Sequence, residues 1–156
     1  MTTLNSEVSD ASKAGQLEEI KVLKARYFRL IDTKDWAGLR VIFADNLTYT
    51  DDAKNLIIPS ADAFLSFLSE RHEHSVSVHQ GFMPEIEINA GDGTATGIWA
   101  MQDIVRIPSQ STMLVQIGYG HYHETYARID GVWLIETIHL TRLWLSVATE
   151  TVVGAA

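Results

Sequence analysis

Over residues 94–145 apolar and polar positions alternate with a period close to two, the pattern of strands with one buried face. Three long runs rich in β-branched and aromatic residues follow one another there: Trp99 to Val105, Gly118 to Tyr126 and Trp133 to Trp144. Pro108 and Asp130-Gly131 mark the breaks, so the runs read as three consecutive antiparallel strands. Parity then sorts the side chains. Ala95, Gly97, Trp99, Met101, Asp103 and Val105 share one face, which sets a carboxylate on a largely apolar wall. Ile138, Leu140, Arg142 and Trp144 share another, which sets a guanidinium among large apolar groups. In the middle run Tyr119, His121 and His123 face one way and Tyr122, Glu124 and Tyr126 the other. Isolated ionisable groups on an apolar face point to a lined pocket rather than a plain core, because buried charge is costly unless paired.

Upstream the period lengthens. Leu17, Ile20, Leu23, Tyr27 and Leu30/Ile31 recur at three- and four-residue steps, predicting a helix from Gln16. Glu18 and Glu19 in its first turn, with Lys21, Lys24, Arg26 and Arg29 further on, suit the helix dipole. Asp35 is expected to cap a short second helix with Trp36, Leu39, Ile42 and Phe43 inside. Residues 46–50 read as a short strand, and Pro59-Ser60 opens a third helix with Phe64, Phe67 and Leu68 inward, ending near His72. Residues 76–83 read as a strand, with Val76 and Val78 opposite Ser77, His79 and Gly81. Residues 84–89 alternate Ile86 and Ile88 against Glu85 and Glu87, and residues 90–93 form a hairpin turn. Residues 1–15 are expected as a loose arm and 147–156 as a mobile tail, leaving 16–146 as one domain. The order predicts an α+β domain with about three helices on one face of a curved antiparallel sheet.

Composition narrows the function classes. A chain of 156 residues can bury a real core, and a net charge of -8 without a basic stripe argues against nucleic acid and anionic membrane surfaces. The absence of cysteine removes disulfides, thiolate metal sites and a thiol nucleophile. No apolar signal core or membrane-length run is visible, so a cytoplasmic protein is expected.

Five groups could converge as chemistry: Tyr27, Asp32, His79, Asp103 and Arg142. A histidine oriented by a carboxylate is the minimal general base at neutral pH, which makes Asp32 with His79 the candidate pair; a tyrosine hydroxyl and a guanidinium could hold an oxygen gaining negative charge. Plainer roles stand beside these: Asp32 as a cap, His79 as a structural histidine, Tyr27 as core, and Arg142 as the ion-pair partner of Asp103. His121 and His123 have the spacing of a metal site, with His139 a conceivable third ligand, but the glutamate such a site needs is missing downstream, and no metal is expected. Arg71-His72-Glu73-His74 reads most simply as a solvated helix end. There is no Gly-rich phosphate loop and no Gly-x-Ser-x-Gly elbow.

Taken together, Leu23 to Asp32, Asp35-Trp36, Val78 to Gly81, Trp99 to Asp103, Gly118 to Tyr126 and His139 to Leu143 resemble the SnoaL-like branch of the nuclear transport factor 2-like superfamily. This branch includes the bile-acid 7-alpha-dehydratases and, more distantly, scytalone dehydratase and ketosteroid isomerase. The resemblance implies a cone-shaped (cystatin-like) sheet closed by three helices around a pocket that works without a cofactor. It assigns the tyrosine, helix-end aspartate, strand histidine, sheet aspartate and late arginine of the dehydratases to Tyr27, Asp32, His79, Asp103 and Arg142. Tyr49 is similar to a second pocket tyrosine of scytalone dehydratase, whereas Asp103 stands where that enzyme has a histidine. The expected activity is dehydration of an apolar polycyclic hydroxy-ketone, steroid or polyketide, with Trp36, Phe64, Trp99, Met101, Leu140 and Trp144 lining the pocket. An isomerase, a non-catalytic binding module and an interaction subunit are the alternatives. A homo-oligomer, dimer or trimer, is expected.

Overall fold

The computed structural model describes residues 2–89 and 91–151. Helix α1 spans Thr2–Asp32, and its apolar stripe (Ile20, Leu23, Tyr27, Leu30, Ile31) is buried as its spacing predicts. The helix is longer than the stripe: it begins at Thr2, so the segment expected as a loose arm is helical. Asp35 caps α2, Trp36–Arg40, by accepting the Gly38 N–H at 2.8 Å. This helix ends early, because Phe43 already belongs to β1, Phe43–Asp51. A 3-10 turn at Asp52–Lys54 leads to a short strand β2, Leu56–Ile58, which the sequence pattern does not announce. Helix α3, Ala61–His72, is capped by Ser60, whose side chain accepts from the Ala63 N–H at 3.2 Å.

Four long strands follow: β3 (Val76–Asn89), β4 (Thr94–Ser109), β5 (Thr112–Ile129) and β6 (Val132–Thr151). The sheet order is β2-β1-β6-β5-β4-β3, antiparallel except that β1 runs parallel to β6. Residues 76–83 and 84–89 form one strand, bent where the β3–β4 register shifts between Phe82 and Glu85, with Met83 at φ 32°. Asp130 (φ 51°) and Gly131 (φ 84°) make the tight β5–β6 turn, both in the left-handed region such two-residue hairpins require. Strand β6 carries residues 147–151, so the expected tail is strand up to Thr151; residues 152–156 lie outside the described ones.

The sheet curves around the helices, α1 against β3 and β6, α3 against β1, and α2 between α1 and α3. The buried face alternates along β4 as parity requires, with Ala95, Trp99, Met101, Asp103 and Val105 all buried. Along β6 parity fails twice: Thr125 pairs with Thr137 but Tyr126 with Ile135, and a second shift follows further along the strand. Tyr119 pairs with Trp144 and Gly120 with Arg142, so Leu143 is a bulge that re-aims everything after it. Trp144 therefore leaves the inner face and lies 53% exposed on the outer one, its ring 5.6 Å from that of Tyr119.

One pair of opposite charges is buried outright between α1 and β5. Lys24, which the sequence places among the dipole-favoured basic residues of α1, forms an ion pair with Glu124 of β5, both side chains fully enclosed. Its ammonium lies 3.9 Å from the Tyr122 ring centroid and 4.2 Å from that of Tyr27, so the charge is held by a carboxylate and by aromatic faces. Burial lowers the Lys24 pKa and Glu124 opposes the drop. Glu124 also accepts the Tyr126 hydroxyl at 2.5 Å, and that hydroxyl accepts the Trp99 indole N–H at 2.9 Å. The Tyr122, Glu124 and Tyr126 side chains are thus an inner wall, and His121 and His123 belong to the outer face.

Candidate active site

Where α1 ends against β3, the chain places Asp32 beside the inner face of the first strand turns. The Asp32 carboxylate accepts three hydrogen bonds: the Ser77 hydroxyl at 2.9 Å, the His79 backbone N–H at 2.9 Å, and His79 Nδ1 at 2.7 Å. An ionised carboxylate only accepts, so Nδ1 carries the proton and Nε2 keeps its lone pair. The imidazole is buried and lines a cavity, with Nε2 the ring nitrogen left for a substrate. Helix end and strand parity together fix this pair: His79 and Ser77 point inward because Val76 and Val78 point out.

On the neighbouring strand, Asp103 is paired directly with His79, and Arg142 Nη2 lies 2.7 Å from Asp103 Oδ2, both side chains almost wholly buried. Burial pulls the Arg142 pKa down, but the Asp103 hydrogen bond and charge outweigh it and leave the guanidinium above its ordinary value. The pair needs the space of Gly118, whose added Cβ would overlap both Arg142 Nη1 and Asp103 Oδ1. Among the described residues Asp103 Oδ1 and Arg142 Nε are buried without a partner, one acceptor and one donor unused. Such groups cost roughly 1–3 kcal/mol each until something satisfies them. Three phenols, Tyr27, Tyr49 and Tyr122, complete the lining on this side. Burial pushes Tyr27 and Tyr122 well above the ordinary tyrosine range, and Tyr49 is raised by burial and by Asp51. All three are neutral hydroxyl donors at neutral pH.

Of the residues expected to line the pocket, Tyr49, Phe64 and Leu140 do so with Tyr27, His79, Asp103 and Arg142, while Asp32 stands behind His79 and does not line it. Trp36 packs against the core from outside, Trp99 is a core residue bonded to Tyr126, and Met101 lies behind Arg142, its sulfur 3.9 Å from Nη1. Trp144 is on the far side of the sheet, for the bulge described above. The cavity also contains groups the sequence reading passed over: Lys54, Arg71, His72 and Gln116. Arg71 and His72 do not form a solvated helix end. His72 is 4% exposed, and Arg71 donates to Gln116 Oε1 at 2.7 Å. The signal was present, since Phe64, Leu68 and His72 recur at steps of four on one helix face. About 30 Å³ of the cavity is open to the centre of a water molecule, enough for water and too little for a ring system.

On the outer face the rings of His123 and His139 lie 5.6 Å apart and those of His121 and His123 6.2 Å apart. Their nitrogens are turned elsewhere, His139 Nε2 to Asp52 at 2.8 Å and His123 Nε2 to Thr141 at 3.2 Å. Among the described residues no cluster of three or more such groups is arranged to hold a metal ion.

The sequence matches the SnoaL-like domain over residues 13–139, more than half of the chain. The chain belongs to the SnoaL-like family. Solved structures agree on the fold of this SnoaL-like chain. A scytalone-dehydratase-like protein of Novosphingobium aromaticivorans superposes with a TM-score of 0.79 at 17% identity, covering 94% of this chain and 99% of its own. A hexachlorocyclohexane dehydrochlorinase of Novosphingobium barchaimii gives 0.72 at 17% identity, covering 89% and 94%. A Mycobacterium tuberculosis protein of unknown function gives 0.70 at 23% identity, covering 85% and 74%. The neighbours include enzymes named for removing water and for removing hydrogen chloride. Among the described residues no helix is long and apolar enough to cross a membrane.

Proposed function

We propose that this SnoaL-like protein is a cofactor-independent dehydratase that removes water from a hydroxy-carbonyl compound carried on an apolar ring system. The observation that carries the reading is the 2.7 Å contact of Asp32 with His79, which lines the cavity beside the Asp103–Arg142 pair. His79 Nε2 takes the proton on the carbon next to the carbonyl, and Asp32 stabilises the resulting imidazolium. Tyr27 or Tyr122 donates to the carbonyl oxygen as it gains enolate charge, in a site where such donors need no reorganisation, and Tyr49 can join them by giving up its 3.4 Å bond to Asp51 Oδ2. The unused Oδ1 of Asp103 accepts from the substrate's departing hydroxyl and orients it. Asp103 already holds Arg142 through Oδ2 and serves here as an acceptor. The proton held on His79 is then the one that leaves with the hydroxyl as water when the C–O bond breaks, which makes the elimination syn. A ring substrate needs the cavity to widen, and Lys54, Phe67 and Arg71 are lining residues that are not buried.

The test is a screen of β-hydroxy ketones for product 18 mass units lighter, the mass of water, run with the wild type and His79→Ala. The expected result is turnover that falls about 10²–10⁴-fold or more in the variant while its circular dichroism is unchanged. Near-wild-type turnover in His79→Ala removes the base from the mechanism. A product of unchanged mass makes the same proton transfer an isomerisation, and tight binding without turnover, indifferent to His79→Ala, makes the protein a binding module. We also expect a dimer or trimer formed through the outer face of the sheet, where Val78 of β3, Tyr119 of β5 and Trp144 of β6 are exposed.

A further inference from the structure

The cavity has a second imidazole, and its hydrogen bonds set it a different task from that of His79. His72 closes α3, is 4% exposed, and lies edge-to-face with His79, ring centroids 5.7 Å apart. Its Nδ1 is 3.2 Å from Ser75 Oγ, and Ser75 Oγ is 3.0 Å from the His72 carbonyl oxygen. A carbonyl only accepts, so the single Ser75 hydroxyl proton belongs to that bond. The bond between Ser75 and Nδ1 must then take its proton from the ring. His72 is therefore protonated at Nδ1 and bare at Nε2, on the far side of the ring from Ser75. Among the described residues Nε2 has no hydrogen-bond partner, while the ring lines the cavity.

The groups that face this ring keep it neutral. Burial pushes the His72 pKa down to about 3, with His79, Lys34, Arg71 and Lys54 adding positive potential around it. Among the described residues no carboxylate pairs with His72 as Asp32 pairs with His79. The two histidines thus present two lone pairs to one cavity, one on a base and one on a group that does not take the proton.

We infer that His72 Nε2 is a hydrogen-bond acceptor for a hydroxyl (or other O–H or N–H donor) of the substrate, distinct from the departing hydroxyl at Asp103. The substrate class is thereby a ring compound with at least two donor groups, and His72 selects it against the analogue that lacks the second. A site built to accept such a proton rejects the analogue because its own buried acceptor is left unpaired. This inference rests on the dehydratase reading for what the donor is attached to, and on geometry alone for the acceptor.

The experiment is a two-bond ¹H–¹⁵N correlation on uniformly labelled protein, with the His72 signals assigned by their loss in His72→Phe and their retention in His79→Gln. Two probes share one ring system: 2-naphthol, which has a donor, and 2-methoxynaphthalene, which has none. The expected His72 pattern is protonated Nδ1 and bare Nε2, unchanged from about pH 8 to about pH 5, a range that crosses the ordinary histidine pKa. With 2-naphthol the Nε2 resonance shifts upfield, and with 2-methoxynaphthalene it does not move. The wild type should bind 2-naphthol roughly tenfold more tightly than the ether, and His72→Phe should bind the two alike. The opposite tautomer, protonation of His72 within that pH range, or a 2-naphthol response that is absent or confined to His79 overturns the inference. Those signals do not depend on turnover: a protein that shows them and dehydrates nothing loses the function proposed above and keeps this acceptor.

Discussion

A histidine with a carboxylate behind it and a histidine with a serine behind it are different reagents, and this cavity contains one of each. The difference also reaches stability. His72 has a folded pKa of about 3 against about 6.5 when unfolded, so between those values the unfolded chain binds the proton that the native one refuses. The stabilisation is complete above about pH 6.5 and is lost as the pH falls towards 3, at a slope of up to about 1.4 kcal/mol per pH unit. Urea denaturation of wild type and His72→Phe at about pH 7 and about pH 5 checks this: the variant should lose less stability on acidification. Equal losses would place the titration elsewhere. At this scale the sequence was partly legible. Asp32 and His79 could be paired because a helix end and a strand parity are local features. His72 was hidden by its neighbours Arg71, Glu73 and His74, which made a buried residue look like part of a charged helix end.

Elements meet through contacts that periodicity does not announce. The helix α1 stripe, the caps of α2 and α3 and the inner face of β4 are all written in spacing, and the structure follows them. The Lys24–Glu124 pair is not, because its members stand 100 residues apart and each has an ordinary local excuse for being charged. It fastens α1 to β5. Lys24→Met leaves a buried carboxylate alone and should cost about 3–5 kcal/mol, whereas Lys24→Met with Glu124→Leu should recover most of that, since apolar side chains fill such a site about as well as an ion pair does. Chemical denaturation of the single and double variants measures both values. A double variant as unstable as the single would mean that the pair also supports Tyr126 and Trp99 through the Glu124 bond. The bulge at Leu143 was equally invisible: one extra residue reverses parity without changing composition, and it sent Trp144 to the opposite face from Arg142.

For the whole molecule, the resemblance of motifs spread over 23–143 gave the cone, and the order of helices and strands gave its class. What sequence could not supply was which face of the long strands remains apolar towards solvent. That face now has a centre at Tyr119 and Trp144. Trp144→Glu should shift the protein from oligomer to monomer in light scattering after size exclusion while leaving the fold intact; a monomeric wild type, or an oligomer indifferent to the change, would move the interface elsewhere. The parallel pairing of β1 with β6 has a further consequence, for the order in which the molecule can come into being. β1 is made before β6 and can reach β2 and α3 soon after they emerge, yet its other edge waits for Thr137 to Leu140. Arg142 is made later still, two residues further on. While the chain is being synthesised, Asp32 and His79 can already meet, but they face an unfinished wall. The ribosome must pass Arg142 before the wall beside the base is complete, so a nascent chain, or one stopped before that residue, carries its proton acceptor without the cavity that would give it a substrate.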